Sequence, residues 1–479
     1  MRITNQMSMN RMLMNINRNA RRVDGYYSQI STGKKIQNPS DNPIIASRAL
    51  KFRTNISDTE QYARNAAQAQ SWMSITEEGF DNTLEILEKM RSRFVQGATD
   101  TLTPEDRDKI VEEIRTFAQQ IGGEMNVAYA GRYVLSGYRT DQPPTMTKTE
   151  FNNVYTITQE LNLNDIQETK AYVRDETPPP PAVITIHEIN KIDLPYHNEE
   201  AAMGNPARTV TMNLGNIPGG VVVVAGDDPD RYVAPAAGAK FIAETGELIL
   251  SDATAAEMRA NPEEDYNVVY TINGLYEGEP NPIVYFECTQ TNVADGTSKN
   301  FNMEDQHMQF EFGINTRIQV NNLAKDVYTP SLYAELMNFC DLVSQVRIST
   351  DAELRAAYAG LGLDEDVLKQ MVDDQIVLET KKFTDYLQDS FSAMLGRYEV
   401  HSAAALKEFT TLGSRINRIE LTSSRLEENR VSYTELMSEN ENVDYMEVIM
   451  NLSAMEAVYS ASMMAGSRIS QMSLADYVR

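Results

Sequence analysis

Side chains suited to metal binding or catalysis are scarce in this sequence. Two cysteines, Cys288 and Cys340, lie far apart without metal-ligand spacing, so they neither require nor exclude an oxidising compartment. The four histidines (His187, His197, His307 and His401) are scattered, and packed or solvated imidazole is the better reading of each. No glycine-rich phosphate loop, nucleophile elbow or zinc-binding helix occurs. Gly226–Asp227–Asp228–Pro229–Asp230 lacks the spaced ligands and terminal glutamate of an EF-hand loop and reads as an ordinary acidic turn. A non-enzymatic protein is therefore expected, with no catalytic residues, no metal and no cofactor. No apolar run approaches the eighteen or so residues of a membrane span. The N-terminal stretch lacks the apolar core of a secretory signal. No membrane insertion is expected, and export would take another route.

Positive charge is also in deficit. The chain of 479 residues has 43 Lys and Arg against 69 Asp and Glu, a net charge of −26. That balance argues against a nucleic-acid partner, which needs a basic face for phosphate. The deficit is uneven. The first forty residues carry seven basic side chains against one acid, Asp24, whereas the last forty carry five acids against Arg468 and Arg479. Opposite signs favour pairing of the two ends, although screened charges contribute little individually.

Both ends carry a strong helical pattern. Met9, Leu13, Ile16, Ala20, Val23, Tyr27 and Ile30 alternate spacings of 4 and 3, an unbroken a/d seam. At the far end Tyr445, Val448, Leu452, Met455, Tyr459, Ser462, Gly466 and Ile469 keep the same alternation, and the small residues Ser462 and Gly466 would let a partner backbone come close. Met7, Met9, Met12 and Met14 crowd the first helix, a composition suited to adaptable interfaces. A basic amphipathic N-terminus also fits a membrane-surface helix or a transit peptide. The regular seam, and Asn where Ser is usual, favour helix pairing instead. Ordering thirty residues costs more than seven seam side chains return, so the ends are expected to need like neighbours to fold.

Between the ends the period changes twice. Gly33 suits the C′ position of the first helix, and Asn42–Pro43 reads as an N-cap followed by proline at N1. A helix is expected over about 44–98 and another from Thr103–Pro104, with Gly122–Gly123 as its possible stop and Glu124–Ala128 as an alternative further turn. Arg132–Gly137 reads as a short strand. Short β-branched or alternating runs follow: Val154–Thr158, Val183–Ile186, Val210–Leu214, Val221–Val224, Leu248–Leu250, Val268–Ile272, Ile283–Cys288 and Ile318–Val320. Gly219–Gly220, Asn273–Gly274 and Asp295–Gly296 supply turns, Pro178–Pro181 a stiff loop, and Ser251–Ala260 one short helix. Helical character returns near Ser331, turns at Gly360–Leu361–Gly362, and runs from Asp364 to about Met437 before a polar joint at Ser438–Asn442.

The expected fold class is mainly α with an inserted β domain. The N- and C-terminal regions form a long antiparallel α-helical, coiled-coil bundle. Five segments are expected: 1–42, an N-terminal polymerisation helix pairing with 438–479; 43–140, the first part of a helical rod; 141–330, the β-rich insertion; 331–437, the second part of the rod; and 438–479, the C-terminal polymerisation helix.

Several motifs resemble the flagellins and their relatives. They are Gln29–Ile30–Ser31–Thr32–Gly33–Lys34–Lys35–Ile36, Asn38–Pro39–Ser40–Asp41–Asn42–Pro43, Ser74–Ile75–Thr76–Glu77–Glu78–Gly79–Phe80 and the run Met90–Ala98. Gly131–Arg132–Tyr133–Val134–Leu135–Ser136–Gly137, the Pro39–Pro43 turn and the ending Arg468–Tyr477 are similar to the members that form the hook–filament junction, rather than to flagellin proper. The resemblance covers about 1–140 and 405–479; the segment 141–330 matches nothing in detail. It implies a structural subunit of the bacterial flagellum, extracellular and exported unfolded by the flagellar type III apparatus. The implied partners are further copies of the chain in a ring or helical layer, the other junction protein, flagellin and an export chaperone. The fifteen seam residues named above would be the subunit interface. Flagellin itself is the alternative, and a secreted coiled-coil effector or adhesin with a β head is a further one.

Overall fold

The protein is described from a computed structural model that covers residues 5–99, 102–175, 183–201, 206–213, 215–303, 306–359 and 364–475. The readings at Pro178–Pro181 and Gly360–Leu361–Gly362 lie outside these residues, as does Leu214.

Three helices open the chain: α1 (Asn5–Thr32), α2 (Pro43–Gly97) and α3 (Pro104–Met125). α1 stops where Gly33 takes a left-handed φ of +71° and its amide returns to the Gln29 carbonyl at 2.8 Å. α2 starts at the expected cap, with Asn42 Oδ1 accepting from the amides of Ile44 and Ile45 at 3.1 and 3.3 Å. α3 is capped by Thr103, whose hydroxyl accepts from the Asp106 amide at 3.2 Å. Gly122–Gly123 does not stop α3, because its apolar face continues through Ile121 to Met125, both fully buried.

The middle of the chain is β-rich. It begins with the two-residue strands β1 (Ala128–Tyr129) and β2 (Arg132–Tyr133), and holds β3 (Asn153–Glu160), β4 (Gln167–Asp175), β5 (Val183–Asp193), β6 (Val210–Met212), β7 (Val221–Val224), β8 (Ala239–Ile242), β9 (Glu247–Leu250), β10 (Asn267–Ile272), β11 (Glu287–Asn292), β12 (Ser298–Phe301), β13 (Gln309–Gly313) and β14 (Thr316–Gln319). Two five-stranded sheets result, in the orders β12-β11-β3-β10-β6 and β4-β5-β9-β8-β7; only β7 and β8 pair in parallel. Alternation sets the faces. In β3 Tyr155 and Ile157 are buried while Val154, Thr156 and Thr158 are half-buried.

Two short helices lie within this part: α4 (Asp252–Ala260), capped by Ser251, and α5 (Pro282–Tyr285). The run Ile283–Cys288, expected as one strand, is corrected here. Asn281 caps Pro282 at N1 and accepts from the Ile283 amide at 3.1 Å, so a helical turn forms first and the strand begins only at Glu287.

The chain ends in α6 (Ala324–Val327), α7 (Pro330–Gln345), α8 (Asp351–Tyr358), α9 (Glu365–Glu441) and α10 (Tyr445–Ala475). The joint expected at Ser438–Asn442 is shifted: α9 continues through Glu441, and the break falls just before Asp444, which caps α10 by accepting from the Met446 amide at 2.9 Å.

The chain forms two compact units. One holds residues up to Gln68, Glu311–Arg317 and residues from Ile419 onward; the other holds Ala69–Phe310 and Ile318–Arg418. The second unit has an aromatic core among its helices. Phe339 packs edge-on against Phe391 at 4.8 Å and Phe94 at 5.7 Å between ring centroids.

Candidate assembly interface

In the first unit α1 and α10 lie antiparallel along each other. Asn19 Nδ2 donates to Ser462 Oγ at 3.0 Å, and the Tyr27 hydroxyl donates to Glu456 Oε1 at 2.5 Å. That hydrogen bond, with the carboxylate charge behind it, pushes the Tyr27 phenol above its ordinary value. Gly466 meets α1 closely: a Cβ there would stand 3.3 Å from Ile16 Cδ1 and Met12 Cε. The small residues Ser462 and Gly466 thus face α1 where the two helices approach.

On α10 the sequence seam and the contact line coincide over most of their length. Val448 and Leu452 are buried, and Met455, Tyr459, Ser462 and Gly466 are half-buried. Tyr445 is exposed, although its hydroxyl lies over Gly33 at 2.8 Å from the position of an added Cβ. Ile469 belongs to α10, but its side chain is outside the described residues.

On α1 the line is rotated. Met9, Ile16, Ala20, Val23 and Ile30 are half-buried as read, but Leu13 and Tyr27 are 50% and 52% exposed. Met12 and Asn19, which meet Gly466 and Ser462, are half-buried, as is Tyr26, while the exposed Tyr27 still reaches Glu456 through its hydroxyl. The reason is geometric. At 3.6 residues per turn, alternation of 3 and 4 can start on either side of the same anchor residues, and Met9–Met12–Ile16–Asn19–Val23–Tyr26–Ile30 satisfies it equally well. Asn19 and Tyr26 are polar enough to read as surface, yet Asn19 is satisfied by Ser462.

A clasp that the seam reading missed closes the base of the pair. Glu441, at the end of α9, takes Lys34 Nζ at 2.7 Å and an Arg53 nitrogen at 2.6 Å. Backbone bonds join the same segments: the Lys35 amide to the Glu441 carbonyl at 2.7 Å, and the Val443 amide to the Gly33 carbonyl at 3.0 Å. Burial works against the charge on Glu441, but the hydrogen bonds and charges of Lys34 and Arg53 outweigh it and hold the carboxyl below its ordinary range. The basic pair Lys34–Lys35 after the helix-ending Gly33 was the sequence signal for this clasp.

The pair leaves a second apolar surface bare. On α10 Met446, Met450, Ala457 and Met464 recur at helical spacing and are exposed, Met446 by 71% and Met464 by 69%. On α1 Met7, Leu13 and Met14 are exposed as well. Among the described residues no helix is long and apolar enough to cross a membrane.

The sites considered and set aside in sequence have ordinary structural surroundings. Asp228 Oδ1 accepts from the Asp230 amide at 2.8 Å within its turn. His401 lies 3.2 Å from Glu335, and the His307 ring faces Gln319 Nε2 at 2.6 Å. Burial, aided by Arg208, pushes His197 down to about 4. Cys288 and Cys340 are free and buried.

Residues 3–140 match the family model described as the bacterial flagellin N-terminal helical region. Flagellar hook-associated protein 3 of Salmonella typhimurium is 28% identical over 148 residues, 30% of this chain and 46% of that one. A flagellin of Clostridium tyrobutyricum is 28% identical over 119 residues, 25% of this chain and 32% of that one. The matches thus span less than half the length of these relatives. Among solved structures, a putative flagellar hook-associated protein from Vibrio parahaemolyticus shares 12% identity at a TM-score of 0.37, covering 84% of this chain and all of that one. Xanthomonas campestris FlgL shares 10% identity at a TM-score of 0.33, covering 80% of this chain and 98% of that one. Residues 3–140 are thus similar to the N-terminal helical region of bacterial flagellins, and about a third of the chain is similar to flagellar hook-associated protein 3.

Proposed function

We propose that this chain is a structural, non-enzymatic subunit of the bacterial flagellum that forms the hook–filament junction. The observation that carries the reading is the bare apolar surface of the α1–α10 pair, which lies in part on the segment matched to the flagellin N-terminal helix. A helix pair that covers one seam and exposes a second is half of an interface, and further copies of the same pair supply the other half. Heterologous contacts repeated around an axis give a ring or a helical layer. In this reading the fifteen seam residues and the exposed Met446, Met450 and Met464 serve assembly, the neighbouring layers are the other junction protein and flagellin, and a chaperone escorts the chain through type III export.

Deleting the gene tests the proposal. The expected outcome is cells bearing hooks without filaments, with flagellin shed into the medium; wild-type motility would overturn it. The similarity to flagellins such as that of Clostridium tyrobutyricum supports a second reading as a filament subunit. Seeding separates the two: a filament subunit grows long filaments from its own seeds, and a junction subunit does not.

A further inference from the structure

Lys191, Asp193 and Glu247 meet on one face of the β4-β5-β9-β8-β7 sheet. Asp193 stands opposite Glu247 in the β5–β9 register, and Lys191, two residues earlier on β5, points to the same face. Lys191 Nζ lies 2.7 Å from Glu247 Oε1 and 3.0 Å from Asp193 Oδ1, and all three side chains are at least nine-tenths buried. One ammonium between two carboxylates leaves an excess negative charge away from water, and such a triad is costly to keep ionised. The other donors are placed unequally. Tyr232 and Thr245 hydroxyls both donate to Glu247 Oε2, at 2.8 and 2.9 Å, leaving Oε1 to the lysine. Asn338 and Gln167 fix Asp193, at 2.8 and 2.9 Å.

We propose that Lys191 and Glu247 condense to an intramolecular isopeptide bond, with Asp193 carrying the proton. The ammonium first gives a proton to Glu247 Oε1, leaving a neutral amine beside a carboxylic acid. The nitrogen lone pair then forms the bond to Glu247 Cδ, while the negative charge that develops on Oε2 is held by the two hydroxyls, an oxyanion site already in place. Asp193 takes a proton from nitrogen and delivers it to the Oε1 hydroxyl, the Cδ–O bond breaks, and one water leaves. The ammonium and carboxylate become an amide and water, so atoms and charge balance without an oxidant or a cofactor. A cavity of about 240 Å³ lined by Lys191 and Asp193 gives the water a way out. Fixed contact of amine and acyl group replaces the high concentration that amide formation needs in solution. Burial opposes the charge on Lys191 but the two carboxylates outweigh it.

The test is the mass of the full chain, purified, denatured and measured both fresh and after prolonged incubation at neutral pH. The expected product is lighter by one water, and trypsin then yields a branched peptide joining residues 175–208 to residues 241–259, uncut after Lys191. Unchanged mass throughout, with cleavage after Lys191, overturns the proposal whatever any variant does. Water loss confined to residues 175–208 overturns Glu247 as the acyl donor. Asp193→Asn, checked for cooperative unfolding, is expected to keep the full mass; if it still loses water, the relay role of Asp193 is overturned.

Discussion

Glu441 and His197 each contribute to the response of the molecule to acid, and their signs can be worked out separately. Glu441 has its carboxyl held below the ordinary value in the folded chain. Its contribution is therefore present above the unfolded-state value and is lost as pH falls through the folded one. Lys34 and Arg53 are half-exposed, which discounts the clasp to about 1 kcal/mol. Glu441→Gln should speed amide exchange at Lys35 and Val443 by that amount near neutral pH and by little in acid; equal exchange in variant and wild type at neutral pH would remove the clasp from the account. His197 works over a different range. Its folded value, about 4, lies below the ordinary 6.5, so the unfolded chain takes up the proton first and stability drops as pH falls between those two values. A loss of about 2 kcal/mol is expected, discounted for partial exposure. Denaturant midpoints across that range should fall less steeply for His197→Asn than for the wild type.

At the scale of elements, one side chain of α3 closes the end of α2. Arg107 of α3 is fully buried, and its guanidinium donates to the Gly97 and Thr99 carbonyls at 3.0 and 2.6 Å, at the C-terminal end of α2. A cation belongs there, because the last carbonyls of a helix have no partner within it and carry partial negative charge. Arg107→Met keeps the stem and removes the donors, so it should cost about 3 kcal/mol and lower the thermal transition of the second unit. An unchanged transition would mean that water satisfies those carbonyls.

The long helices were legible because an amphipathic period repeated over many turns outvotes any single residue, and the caps at Asn42 and Thr103 were written in residue type. The strands β1, β4, β8, β12 and β13 were not seen, and β4 and β8 show why. Within Gln167–Asp175 only Ala171 and Val173 are buried apolar residues, and Tyr172 between them is half-buried, so the alternation is too faint to read. In Ala239–Ile242 Lys240 interrupts an otherwise apolar run of only four residues. The error at Ile283–Cys288 had a visible remedy, the Asn281–Pro282 cap, which was overlooked because β-branched residues follow it. At the interface, periodicity fixed which helices pair but not the rotation of α1, since Met12 and Leu13 are equally apolar.

For the whole molecule the rotation of α1 separates two properties that the sequence had merged. Leu452 is 9% exposed, whereas Leu13 is 50% exposed. A charge at Leu452 has to be buried or the pair has to open, and an unpaired buried carboxylate is not tolerated. Leu452→Asp should therefore free α1 within the monomer, seen as fast amide exchange along Met9–Ile30, and abolish assembly as a consequence. Leu13→Asp adds a charge to a surface that water already reaches, so amide exchange of the monomer should match the wild type. Assembly should fail all the same, because the charge enters the surface that a neighbouring copy covers. Neither variant should move the thermal transition of the second unit. If Leu13→Asp assembles and swims as the wild type does, the exposed side of the helix pair is not the surface between copies, and the proposed interface reduces to the contact the chain already makes with itself.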